Sequence, residues 1–216
     1  MPNYVYTSIV GGKDTLKDNQ NTIGAKFVAF TDKPIESKVW ERRVACNEYT
    51  DPVRNAKKHK ILPHLYFPDA EYSLWIDGTL SLKVPVGELI DKYLKDSDIA
   101  MFKHPYRDCL YDEALACINF GLDDPDTILK QVKNYELEGY LPRRGLFEAT
   151  VILRRHTNEI RAFNETWWDE IEWGSRRDQI SLPYALHKTA TDITTMEGYV
   201  HDEGGNKYFD YESHLK

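Results

Sequence analysis

The chain has 216 residues, 41% of them hydrophobic and 12% aromatic, and carries a formal net charge of −7. One sizeable α/β domain fits that length, and no Pro/Gly/Ser-rich linker or shift in composition marks a second, so a single domain over 1–216 is expected. The acidic balance excludes a broad basic face for nucleic acid, and with no apolar run of about 18 residues and no basic start leading into an apolar segment, the expectation is a soluble cytoplasmic protein without a transmembrane segment.

In chain order, NYVYTSIV at 3–10 and KFVAFT at 26–31 are β-rich runs that end in the turn signals GGKD and TDKP, predicting two early strands, with a short third at 39–44. From 52 to 66 the pattern turns helical, with Pro52 in the first turn and Asp51 as its cap. Residues 74–76 form a buried strand that delivers Asp77 at its C-terminal end. A helix over 86–93, a strand over 98–102 and helices over 108–118 and 123–138 follow. The strand 147–153, helices over 157–172 and 178–187 and a short strand at 192–196 complete the series. This alternation predicts an α/β fold, a mostly parallel mixed sheet with helices on both faces. Such sheets bind ligands beyond the carboxyl ends of their strands.

That geometry bears on YSLWIDGTLSL at 72–82, where a lone acid, Asp77, closes an apolar run and is followed by Gly78 and Thr79. A strand stopping at a turn accounts for Asp-Gly by itself, but a strand–helix–strand unit ending there sets the acid at the ligand edge. In RNAKKHKILPH at 54–64, Arg54, Lys57 and Ile61 share one side of the helix, either as a solvated basic face or as one that overlooks the Asp77 cleft and meets a diphosphate.

HPYRDCLYDEA at 104–114 places His104, Tyr106 and Arg107 in a loop, with Asp108 or Asp112 available to cap the next helix. Glu148, inside FEATVIL, must face a polar cleft or be costly to bury. RRDQISLPYAL at 176–186 offers Asp178 and Gln179 at a helix start, where dipole support alone would explain the acid. HDEGGNK at 201–207 has the spacing His201-x-x-Gly204-x-x-Lys207: an imidazole able to ligate a metal, a glycine that admits backbone to phosphate, and a cation for a leaving diphosphate. Adjacent Trp167 and Trp168 serve either as core or as a stacking platform for a sugar ring. Cys46, Cys109 and Cys117 lack metal-ligand spacing and read as reduced thiols.

Six ordered blocks, YTSIVGGKDTL with FVAFTD, RNAKKHKILPHLYFP, YSLWIDGTLSL, HPYRDCLYDEA, LFEATVILRRHT and WWDEIEWGSRRDQISLPYAL, run almost end to end. Together they resemble a glycosyltransferase-like domain family of plant cell-wall and mucilage proteins and bacterial homologues, of GT-A type. The resemblance implies a single GT-A-like, Rossmann-like domain. Its implied activity is glycosyl transfer from a nucleotide-diphosphate sugar, a UDP-sugar foremost, to a glycan or other hydroxyl acceptor, as in polysaccharide biosynthesis.

It further implies that Asp77 stands as the first acid of an Asp-x-Asp motif and orients the donor, that Arg54 and Lys57 meet its phosphates, and that Thr7, Asp32, His104, Arg107, Gln179 and Lys207 also contact it. Glu148 and Asp178 are then the acids that hold sugar hydroxyls or act as base. Thr79 replaces the motif's second acid, which weakens the case for Mn²⁺ or Mg²⁺. The implied ligands of such an ion are Asp77 and His201, since the His-x-x-Gly-x-x-Lys ending resembles that of glycogenin-like retaining transferases. Two other classes stay open: a sugar-nucleotide or glycan-binding protein without catalysis, and a nucleotidyltransferase, for which the N-terminus lacks a Gly-rich phosphate loop.

Overall fold

The computed structural model describes residues 1–12, 14–201 and 206–213. Its elements are β1 (Asn3–Ile9), β2 (Lys26–Thr31), β3 (Glu41–Val44), α1 (Pro52–Ile61), α2 (Pro63–Tyr66), β4 (Tyr72–Ile76), β5 (Leu80–Leu82), α3 (Val86–Tyr93), β6 (Ile99–Lys103) and α4 (Leu110–Asn119). After these come α5 (Pro125–Leu137), β7 (Phe147–Arg155), α6 (Asn158–Trp173), α7 (Asp178–Lys188), β8 (Thr194–Met196) and β9 (Phe209–Tyr211).

β1, β2, β4 and β6 are almost continuously buried, as strands covered on both faces must be, and this is why they read as apolar runs rather than as alternating ones. They join a seven-stranded sheet in the order β3-β2-β1-β4-β7-β6-β8. Every neighbouring pair is parallel except those made by β7, which runs against β4 and β6. The carboxyl ends of β1, β4 and β6 therefore share an edge with the first residues of β7. Pairing of Ile76 with Val151 continues into an amide bond from Asp77 to the Thr150 carbonyl at 2.9 Å. On its other side the β7 register jumps, from Met101↔Ile152 to Phe102↔Glu148; such a bulge re-aims the side chains beside it.

One face of the sheet, carrying Tyr6, Trp75 and Ile152, is packed by Ile61 of α1, Phe163 and Trp167 of α6 and Leu182 of α7. The other, carrying Val5, Leu74 and Val151, is packed by Leu89 and Tyr93 of α3 and by Leu80, Leu82 and Phe209 of the small antiparallel β5-β9 sheet. α4 and α5 close against α7 through Leu110, Ile128, Tyr135 and Tyr184.

Caps form where the side chains allow: Asp51 accepts from the Val53 amide, Asp124 from Thr127 and Thr157 from Ile160. Several sequence expectations change. The helix over 52–66 is two, because Pro63 removes a donor and drives Leu62 to φ −110°, ψ 52°. Cys109, rather than Asp108 or Asp112, occupies the N-cap of α4. Trp167 and Trp168 are core, at 0% and 6% exposure, and offer no platform to a ligand. β5 and β9, three residues each, add to the strands that the sequence pattern predicts. No described helix is long and apolar enough to cross a membrane.

Candidate functional site

Residues two apart on a strand point to the same side, so the Trp75 indole and the Asp77 carboxylate leave β4 together. Trp75 Nε1 donates to Asp77 Oδ1 at 2.7 Å, and Lys60 Nζ stands 3.5 Å from the same oxygen and 5.4 Å from the centroid of the Trp75 ring. Lys60 comes from the last turn of α1 and is 2% exposed. A buried ammonium demands partners; its stronger one is Asp178 Oδ2 at 2.8 Å, which also accepts from Lys57 Nζ at 2.5 Å. Asp77 is thus tied through a single cation to the first residue of α7.

Charge settles unevenly in this group. Burial alone would raise the Asp178 carboxyl, but Lys57, Lys60 and Arg177 hold it well below the usual carboxylate range. Burial depresses Lys57 to about 8 against the pull of Asp178, whereas for Lys60 the pull of Asp178 and Asp77 outweighs burial and raises it. Burial opposes the charge on both ammoniums and Asp178 and Asp77 favour it on both; Lys57 is further disfavoured by the charge of Lys60.

Glu148 opens β7 beside this group. It is 7% exposed, its Oε2 has no hydrogen-bond partner, and its Oε1 lies 3.8 Å from His201 Nδ1. Burial, then the charge of Asp77, pushes the carboxyl up to about 7. Behind it His104 is held by two amides, Tyr106 and Arg107 donating to its Nδ1 at 3.2 and 3.0 Å, while Arg107 Nε bonds buried Glu113 at 2.6 Å. His104 and Arg107 therefore form a braced loop at the same edge, since the His104 amide bonds the Leu146 carbonyl just before β7.

The remaining expected residues scatter. Thr7 is buried behind the Asp77–Gly78 turn with an unpartnered hydroxyl. Asp32 is exposed and accepts from the Gly11 amide at 2.9 Å, joining the loops after β1 and β2. Gln179 is half-buried on the first turn of α7. Arg54 turns to α6: its guanidinium bonds the carbonyls of Ile171 and, at 2.7 Å, Gly174, closing the C-terminal end of that helix. Lys207 is exposed, 5.0 Å from the Tyr208 ring centroid, and Gly204 lies outside the described residues. Lys60 escaped the sequence reading although it sits three residues from Lys57, a spacing that places both on neighbouring turns of one face.

A hollow of about 170 Å³ lies between α1 and the end of β4, bounded by Ser8, Val53, Lys57, Lys60, Trp75 and Asp77. Sites for whole drug-sized ligands run to about 300–1,000 Å³, so this one suits a single ring of a larger molecule. A cleft of about 1000 Å³ lined by Tyr140, Arg144, Phe147 and His187 lies toward β8, away from the linked acids. For a divalent cation the fit is poor: among the described residues no three His, Cys, Asp or Glu side chains converge to hold one. Asp77 supplies a single carboxylate already engaged by Trp75 and Lys60, and Thr79 is buried.

Comparison with known proteins bears on the same region. A family model described as the TOD1/MUCI70 glycosyltransferase-like domain matches residues 12–208. Among curated proteins, the chain is 35% identical over 163 residues to a probable hexosyltransferase, MUCI70, of Arabidopsis thaliana, covering 70% of this chain and 28% of that protein. It is 28% identical over 149 residues to the alkaline ceramidase TOD1 of the same plant, covering 64% and 32%. The chain thus spans about three tenths of the length of either relative. Among solved structures, a glycosyltransferase involved in glycosylation of the major capsid of PBCV-1 superposes with a TM-score of 0.51 at 10% identity, covering 91% of this chain and 82% of that one. The expected GT-A-like α/β fold is the fold observed.

Proposed function

Because the chain belongs to the TOD1/MUCI70 glycosyltransferase-like domain family, we propose that it moves a sugar from a nucleotide-diphosphate sugar, a UDP-sugar foremost, to a hydroxyl acceptor. The observation that carries this reading is the linked set Asp77, Lys60, Asp178 and Lys57 at the carboxyl edge of the sheet, with Glu148, one oxygen of which has no hydrogen-bond partner, at its side.

In such a transfer the acceptor oxygen bonds the anomeric carbon while the bond from that carbon to the diphosphate breaks, its electron pair leaving on phosphate; the acceptor proton passes to a base. Asp77, fixed by Trp75, orients the donor. Lys57 and Lys60 offset the growing charge of the diphosphate, and Asp178, held ionised, faces the positive charge that develops on the sugar. Glu148 is the base, since a carboxyl near 7 releases and accepts protons at neutral pH. No step runs through a metal; the Mn²⁺ or Mg²⁺ of the family resemblance is examined by adding EDTA in the assay below.

The test is incubation with a panel of nucleotide sugars, scoring released nucleoside diphosphate. Wild-type protein should release it from at least one donor, and Asp77→Asn should lose most of that turnover while melting at the same temperature. Near-wild-type rates in that variant would remove Asp77 from the reaction. Ceramide serves as the control substrate, because one relative is named a ceramidase; a metal-bound water for amide hydrolysis requires a donor cluster that the described residues do not assemble. Binding of a nucleotide sugar with no turnover on any acceptor would instead favour the non-catalytic binding protein, and release of pyrophosphate would favour the nucleotidyltransferase.

A further inference from the structure

Glu148 poses a chemical question that the donor does not answer. It is more than nine-tenths buried, yet one of its oxygens meets no donor. A buried acceptor of this kind is normally satisfied, so a hydroxyl or amide belongs within its reach.

What surrounds it is aromatic. Its other oxygen lies 3.8 Å from His201, whose ring stands edge-on to Tyr211 at 4.5 Å between centroids and to Tyr199 at 5.2 Å. Tyr199 in turn meets Tyr106 at 6.2 Å, and Tyr106 meets His104 at 6.2 Å. These rings arrive from three separate stretches of chain: the loop after β6, the segment after β8, and β9. Tyr106 is 77% exposed and Tyr211 40%, so neither is explained by packing of the core. Successive edge-to-face angles of 72°, 73° and 83° set the rings as a row of edges against faces rather than as a parallel stack.

We infer that this wall, formed by Tyr106, Tyr199, His201 and Tyr211 in front of Glu148, is a subsite for a sugar ring and seats the acceptor of the proposed transfer. A pyranose has one face of C–H bonds and a belt of hydroxyls. Tyrosine matches both, with an apolar ring face and a polar tip. Seated on the wall, the ring directs one hydroxyl toward the Glu148 carboxyl, and that is the proton the base removes. The inference rests on the proposed transferase reading, which it sharpens from any hydroxyl acceptor to a glycan.

The experiment separates the two readings by using two probes. Methyl pyranosides (glucoside, galactoside, xyloside and rhamnoside) are presented by saturation-transfer NMR to wild type, Tyr106→Ala and Tyr211→Ala, with acyclic ribitol as control; UDP affinity is measured on the same proteins. At least one pyranoside, and not ribitol, should bind wild type, and each substitution should weaken it about threefold to tenfold, the worth of one ring contact, with UDP affinity unchanged. Tyr106→Phe should retain binding. Equal pyranoside binding in all the proteins, or none in wild type, overturns the subsite whatever happens to UDP. A fall in UDP affinity in step with the tyrosine changes also overturns it, giving the wall to a nucleobase. Loss of UDP binding alone, with pyranosides still held, strikes the donor reading and leaves the sugar wall standing.

Discussion

Lys60 joins the two acids that matter most to the proposed chemistry, and its own burial makes it indispensable to both. Its ammonium has Asp178 at 2.8 Å and Asp77 at 3.5 Å. Lys57 also reaches Asp178, at 2.5 Å. Removing one member of a buried ionic group leaves its partners uncompensated, typically at about 3–5 kcal/mol. Lys60→Ala should therefore lower the unfolding free energy from urea titration by an amount in that range, with a lower midpoint, and reduce turnover, whereas Lys57→Ala, at a more exposed position, should cost less stability. Equal midpoints for wild type and Lys60→Ala would show that the linked set is not a structural unit. The sequence hid this residue for a definite reason. α1 has cations on more than one side, and which face turns inward is decided by the packing of Ile61 on the sheet and of α1 on α6.

At the scale of elements the same rotation decides the fate of Arg54. Its guanidinium takes the place of the missing donors at the end of α6, where the last carbonyls of any helix lack intrahelical partners. Arg54→Ala should destabilise the protein by about 1–3 kcal/mol through those freed carbonyls while leaving nucleotide affinity unchanged, as read from thermal melts with and without UDP. A selective loss of UDP affinity at normal stability would return Arg54 to the donor site. Most elements were legible beforehand because their patterns are local: the apolar runs of β1, β2, β4 and β7, the Asp-Pro starts of α1 and α5, the Thr157 cap of α6. β5 and β9 were not, since three residues each carry little pattern and pair only across more than 120 intervening positions, Leu80 with Tyr211. For the site, Asp77 and Glu148 were legible as acids set in apolar runs, Lys57 as part of a basic helix face and Asp178 as an acid at a helix start. The aromatic wall was not, because it is assembled from loops whose proximity only the folded sheet creates.

Across the whole molecule the two displaced ionisations predict a pH response. Glu148, pushed up to about 7, is a competent base only above that value, and Lys57, pushed down to about 8, carries its charge only below it. Turnover should rise through pH 7 and fall through pH 8. Lys57→Arg, charged throughout, should remove the falling limb and keep the rising one; a profile flat from 6 to 9 in wild type would exclude both assignments. The same displacement acts on stability. Between its ordinary 4.5 and about 7 the Glu148 carboxyl binds its proton in the folded state and not in the unfolded one, so folding weakens as pH climbs through that window. Glu148→Gln, which does not titrate, should gain on wild type by on the order of 2–3 kcal/mol above pH 7 and by nothing near pH 4, while losing transfer.

The bulge in β7 has a bearing on how such a protein can diversify. Pairing of Glu148 with Phe102 beyond the register jump locks this acid to the framework, and a slip of one residue there would swing it to the opposite surface. The rings of the proposed acceptor wall instead come from segments outside the sheet's centre, so under that proposal acceptor preference can drift while the acid at the bulge keeps its place, and descendants of one scaffold can decorate different glycans without relearning the reaction.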